Sequence, residues 1–101
     1  MAVSVRNDVA GSLYEADVDG ASAGVLVYEA HGSRVALLHT IVDPAFQGQG
    51  VAGVLVTAVL DALRSQGKTI TVYCPYVLSF LTKHPDYADL VDADEPGLFK
   101  R

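Results

Sequence analysis

The chain has 101 residues and a net charge of −5, and its seven Lys and Arg residues form no cluster. That argues against a nucleic-acid partner, because duplex binding rests largely on Lys and Arg neutralising phosphates. Half of the residues are apolar and 19% are charged, the balance of one compact domain over residues 1–101. No apolar run approaches the ~20 residues of a membrane span, and the first residues carry no basic-then-apolar signal pattern. A single cysteine, Cys74, excludes an internal disulfide and fits a reducing cytoplasm.

The front half alternates in the manner of strands. Val3 and Val5 begin a short one, and Asp8-Val9-Ala10-Gly11 reads as the turn that ends it. A second strand covers residues 13–18. Asp19-Gly20 then signals a hairpin, because both turn positions tolerate positive φ. The return strand is 24–29, His31-Gly32-Ser33 turns the chain again, and residues 35–42 are apolar on both faces, as a central strand requires. This is an antiparallel meander.

The back half changes period. Val51, Val54, Leu55, Ala58, Val59, Ala62 and Leu63 form one helical stripe, whose burial contributes on the order of 10 kcal/mol as an upper bound. Gly67 stands where a helix C-cap belongs. Residues 69–74 form a strand, so strand, helix and strand make a right-handed crossover with parallel 35–42 and 69–74. Pro75 suits the first position of a second helix, which buries Val77, Phe80 and Leu81 and breaks at His84-Pro85. A short helical turn around 86–91 leads into an acidic tail. The fold class is α/β (α+β).

Between strand and first helix lies PAFQGQGVAG, residues 44–53. Gly48, Gly50 and Gly53 spell G-x-G-x-x-G, the glycine spacing of a dinucleotide site. The context does not follow. Five residues separate the strand from the first glycine, and the region about 20 residues on, where an acid would hold the ribose, contains none. A nucleoside-triphosphate loop fails too, since no Gly-Lys-Ser/Thr is present. What remains is the physics these motifs share. A glycine turn entering a helix directs free N–H groups outward at the positive end of the helix dipole, which makes an anion site. Close helix–sheet packing is the other use of such glycines.

Gln47-x-x-Gly50-x-Ala52 resembles the Q/R-x-x-G-x-G/A signature of the GNAT superfamily of acyl-CoA N-acyltransferases. His39-Thr40-Ile41-Val42, Gln47-Gly48-Gln49-Gly50, Cys74-Pro75-Tyr76 and Lys83-His84-Pro85-Asp86-Tyr87 together resemble a subgroup of small stand-alone members in which H-T-x-V, Q-G-x-G, C-P-Y and K-H-P-x-Y recur in this order. The likeness covers roughly residues 10–92. It implies an abbreviated GNAT fold, a mixed sheet with an N-terminal antiparallel meander and a C-terminal βαβα unit. It also implies acetyl-CoA (coenzyme A) as co-substrate. The pyrophosphate would rest on the backbone of Gln49, Gly50, Val51 and Ala52, with Gln47 and Gly48 shaping the turn. The pantetheine arm would pair with the strand through Ile41 and Val42, and a backbone N–H near Ile41 would polarise the thioester carbonyl. Two features depart from the family. The helices that wall the acceptor site between the first strands have no room in Asp8–Gly11. The tyrosine that protonates the leaving thiolate is absent too, since Phe80 and Leu81 stand there and Tyr76 is the nearest substitute.

The candidate catalytic residues are Cys74, His39 and Tyr76. Cys74 precedes a helix N-terminus, a location that favours a thiolate. It could accept an acyl group, orient the acceptor or pair with the CoA thiol, or be a small buried apolar side chain. His39 shares a strand face with Leu37 and Ile41, which makes it a core histidine or a base toward an incoming ammonium. Tyr76 is an acid or a packing residue, and His84 caps or packs. Asp86, Asp89, Asp92, Asp94 and Glu95 form a solvated tail or attract a cationic amine. The expected protein is a cytoplasmic N-acetyltransferase, a monomer or weak homodimer, acting on a small or protein amine with no metal, nucleic-acid or membrane partner. The alternatives are a non-catalytic CoA-binding or interaction module and a plain structural domain.

Overall fold

The computed structural model describes residues 2–100. Strands β1 (Val3–Asp8), β2 (Leu13–Val18), β3 (Ala21–His31) and β4 (Arg34–Val42) follow one another in space as in sequence, each antiparallel to the last. Helix α1 (Val51–Ser65) carries the chain back, so that β5 (Thr69–Val72) adds to β4 in parallel. Helix α2 (Pro75–Lys83) and a 3-10 segment (Pro85–Leu90) follow. No helix stands between β1 and β2. The connection is a turn in which Asp8 Oδ1 accepts the Gly11 N–H at 3.1 Å.

Local chemistry fixes the corners. Asp19 and Gly20 both take positive φ, 50° and 86°, as a two-residue hairpin of this twist demands. Past α1, Gly67 has φ 69°, Lys68 N–H reaches Leu63 O at 3.0 Å and Gly67 N–H reaches Arg64 O at 3.1 Å. These two bonds satisfy carbonyls the helix leaves open at its end.

Alternate residues of the strands face α1 and are sealed. Tyr14, Ala16 and Val18 of β2, Leu26 and Tyr28 of β3, and Val35 and Leu37 of β4 join one core with the helices. Among the described residues the opposite face carries no helix; Val25, Val27 and Ile41 on it keep contact with solvent, while Ala36 and Thr71 toward the β5 edge are buried. The buried stripe of α1 is Val51, Leu55, Val56, Val59, Leu60 and Leu63, which corrects the expected one by a rotation toward Val56 and Leu60. Both flanks of the 51-55-59 line are apolar, and the bulkier one turned inward. Val54 is left 43% exposed.

A second correction concerns β4. Its pairing with β3 shifts so that Tyr28 faces Leu37 while Val27 faces His39, which leaves Leu38 as the extra residue of a bulge. The bulge reverses the alternation beyond it. Thr40 therefore lies opposite Leu26 on the α1 face, and His39 and Ile41 turn to the open face with Val27 and Val25. His39 is exposed and is not a core histidine.

The acidic C-terminal segment is docked rather than solvated along its length. Asp92 N–H donates to Ile70 O at 2.8 Å and Leu98 N–H to Val72 O at 2.6 Å, so the segment covers the outer edge of β5. Asp92 also accepts from Thr69 Oγ1 at 2.8 Å and from the N–H groups of Asp94 and Glu95, both at 3.0 Å. Gly97 approaches Val72 so closely that a Cβ would stand 2.2 Å from the Val72 carbonyl oxygen.

Candidate active site

The site grows from the point where β4 and β5 part. Leu37 O accepts both Tyr73 N–H and Cys74 N–H, each at 3.0 Å. There β5 ends two residues short of the expected strand, while β4 runs on to Val42. Beyond Leu37, among the described residues, the β5-side edge of β4 has no strand partner. Asp43 N–H donates to Ala23 O at 2.8 Å, and antiparallel ladders alternate. Ile41, two residues before, is in the same phase, and its N–H is directed at β3. The backbone donors that face the gap are those of Thr40 and Val42. Ile41 itself is 59% exposed, with its side chain on the open face. The donors near Ile41 that face the gap are thus those of its two neighbours, a consequence of the bulge at Leu38.

The β4–α1 loop closes the end of this gap. Asp43 caps a single 3-10 turn, Pro44–Phe46, by accepting the Ala45 N–H, and Gln47 Nε2 reaches back to Val42 O at 3.4 Å. Gly48 and Gly50 follow at φ 78° and 79°, the left-handed region where a side chain is strained. Gly50 caps α1 with no side-chain hydrogen bond, and no acid occupies the first turn. The N–H groups of Val51, Ala52 and Gly53 therefore point outward without intrahelical acceptors, at the positive end of the helix.

Val42, Gln47, Gly48, Gly50, Val51 and Ala52 line one cleft of about 270 Å³. Phe46, Gly53 and Tyr76 complete it, and Gly53 lies outside the Q-x-x-G-x-A spacing. Gln49 does not line this cleft; its Nε2 donates to Ala45 O at 3.4 Å, which stiffens the loop from outside.

The candidate catalytic residues are separated. Cys74, 1% exposed, places Sγ 3.2 Å from Thr40 Oγ1 on the α1 side of the gap. Thr40 lay inside a quoted motif but had no assigned role, because its inward direction depends on the bulge. His39, its chain neighbour, is on the opposite face. Tyr76 is 40% exposed and its hydroxyl stands over Gly53, where a Cβ would meet it at 3.7 Å. It belongs to the loop end of the cleft rather than to the Thr40–Cys74 pair. Phe80 and Leu81 are buried in the core.

Two displaced carboxylates belong to the C-terminal support. A hydrogen bond from Arg64, at 2.8 Å, holds Asp89 below the usual carboxylate range. The Thr69 hydroxyl and the N–H groups of Asp94 and Glu95 hold Asp92 there too. Among the described residues, no three His, Cys, Asp or Glu side chains gather as metal ligands.

A meander, a parallel crossover and a glycine-led helix N-terminus facing a split between two parallel strands define an acyltransferase-like fold. The profile of the GCN5-related N-acetyl-transferase family matches residues 13–90, and the chain belongs to that family. The bovine (Bos taurus) Protein NATD1 is 37% identical over 62 residues, covering 60% of this chain and 55% of that protein. The match thus spans little more than half of that relative's length. The fold is shared with a GCN5-like putative N-acetyltransferase from Staphylococcus aureus, TM-score 0.66 at 21% identity, over 86% of this chain and 85% of that one. It is shared also with the PaiA N-acetyltransferase of Thermoplasma acidophilum, solved in complex with coenzyme A, TM-score 0.57 at 14% identity, over 71% and 48%.

Proposed function

We propose that the chain binds acetyl-CoA in the β4–α1 cleft and transfers its acetyl group to an amine. The observation that carries this reading is the uncapped first turn of α1, held open by Gly48 and Gly50, at the end of an unpaired β4 edge. The pyrophosphate rests on the N–H groups of Val51, Ala52 and Gly53. The pantetheine arm lies along the β4 edge, where the N–H groups of Thr40 and Val42 face its amides. An N–H on this edge then donates to the thioester carbonyl and to the oxyanion that forms from it.

The amine enters from the open face of the sheet, which no helix covers. His39, on that face, accepts the ammonium proton before attack. The N–C bond forms, the C–S bond breaks, and CoA leaves as the thiolate, which takes, through water, the second proton that the nitrogen sheds as it becomes an amide. Cys74 is enclosed and hydrogen-bonded to Thr40, which suits a side chain that shapes the gap rather than an acyl carrier. Cys74→Ala retaining turnover would exclude a covalent route.

The absence of helices between β1 and β2 favours one second reading, a CoA-binding module without catalysis. Calorimetric titration with acetyl-CoA and a thiol-release assay over a panel of primary amines separate the two. Binding with amine-dependent release supports the enzyme, binding without release supports the module, and no binding removes both.

A further inference from the structure

We propose that the groove between the first turn of α1 and α2 holds the 3′-phosphate of the CoA nucleotide, with Lys83 as its cation. This rests on the CoA reading above and adds where the second phosphate group goes. The loop cleft and this groove share Gly53 and Tyr76 as walls, so one leads into the other. Beyond Tyr76 the groove is lined by Ser79, Lys83 and His84. Tyr76, Ser79 and Lys83 stand at i, i+3 and i+7, one side of α2, and give two hydroxyls and an ammonium over about 10 Å of helix.

Charge makes the assignment. A ligand with a diphosphate and a phosphomonoester meets a chain of net charge −5, and residues 42–53 contain no Lys or Arg to offset it. Arg6 is paired with Glu15 and Arg64 with Asp89, and Arg34 donates to Thr71. Lys83 lines the groove and, among the described residues, forms no ion pair.

A third depression also begins at Gly50 and Gly53, but it runs the other way along α1 over Val54 and Ala58 to Asp61. An apolar floor ending in a carboxylate repels phosphate. Gly53, outside the family signature, is the meeting point of all three depressions. A Cβ there would stand 3.7 Å from the Tyr76 hydroxyl.

The test compares CoA with 3′-dephospho-CoA by calorimetry on the wild-type chain and on Lys83→Gln, an exposed position where unfolding is not at issue. The wild type should prefer CoA by roughly tenfold, the worth of one charge-assisted contact. The preference should shrink as salt is raised. Lys83→Gln should bind both ligands alike, at the wild type's affinity for dephospho-CoA, and Ser79→Ala should lose part of the preference. A wild type that binds the two ligands equally, or a Lys83→Gln chain that still discriminates, overturns this proposal and leaves the CoA reading standing. A folded wild type that binds neither removes both.

Discussion

On the sheet face turned to α1, Ala16, Leu26 and Leu37 are sealed from solvent. On the other face the neighbouring strand positions Val25 and Val27 stay half-buried and Ile41 is 59% exposed. The same strands thus serve two purposes. One face supplies the apolar burial that holds the fold, since hydrophobic stabilisation scales with the area removed from water. The other keeps an approach to the gap between β4 and β5, with His39 on it. The bulge at Leu38 is where these assignments change over within one strand. It turns Thr40 toward Cys74 and His39 toward solvent.

Substitutions that treat the faces alike would break this contrast. The largest effect is expected for Leu37→Ala, which empties a fully buried site and should cost roughly 2–5 kcal/mol in urea unfolding. Ile41→Ala, on the open face, should cost less than about 1 kcal/mol. Comparable losses would mean that the open face is covered.

Next in size is Gly97→Ala. The new Cβ would lie 2.2 Å from the Val72 oxygen at a φ of 68°, so the C-terminal segment must leave the β5 edge. A loss of roughly 2–4 kcal/mol is expected, with faster hydrogen exchange at the Val72 amide, which donates to Pro96 O at 3.2 Å.

A pH titration sharpens the picture of that edge. Asp92 is held below its ordinary pKa by Thr69 and two backbone N–H groups. Its contribution is therefore complete above the unfolded carboxylate range and is lost as pH falls through the lower folded value. Asp92→Asn should flatten the acid side of the stability profile, read as melting temperature against pH. The smallest effect belongs to the open face again. Arg6, with a side chain 60% exposed, bridges Glu15, and Arg6→Ala should change stability by about 0.5 kcal/mol or less.

Much of this was legible from residue patterns. The meander followed from strict alternation, the Asp19-Gly20 hairpin from its turn chemistry, and the anion site from glycines entering an apolar helix. Three things were not legible, for physical reasons. The bulge at Leu38 leaves no mark in a strand apolar on both sides, so alternation alone puts His39 on the face of Leu37. The α1 stripe has two apolar flanks, and only the packed sheet decides between them. The docking of residues 91–98 depends on Asp92 and Gly97 meeting β5, a contact between segments far apart in the chain. Gly53 lies outside the Q-x-x-G-x-A spacing. Its importance is spatial, at the junction of three depressions.

The central claim is that the α1 N-terminus and the unpaired edge of β4 together hold acetyl-CoA. Backbone amide resonances followed through an acetyl-CoA titration test it most directly. The largest shifts are predicted at Gly48, Gly50 and Val51 to Gly53, and at Thr40 and Val42, with smaller ones at Leu13 and Val27 on the open face. Saturating shifts confined to the open face, or none in the loop at millimolar acetyl-CoA, would contradict it.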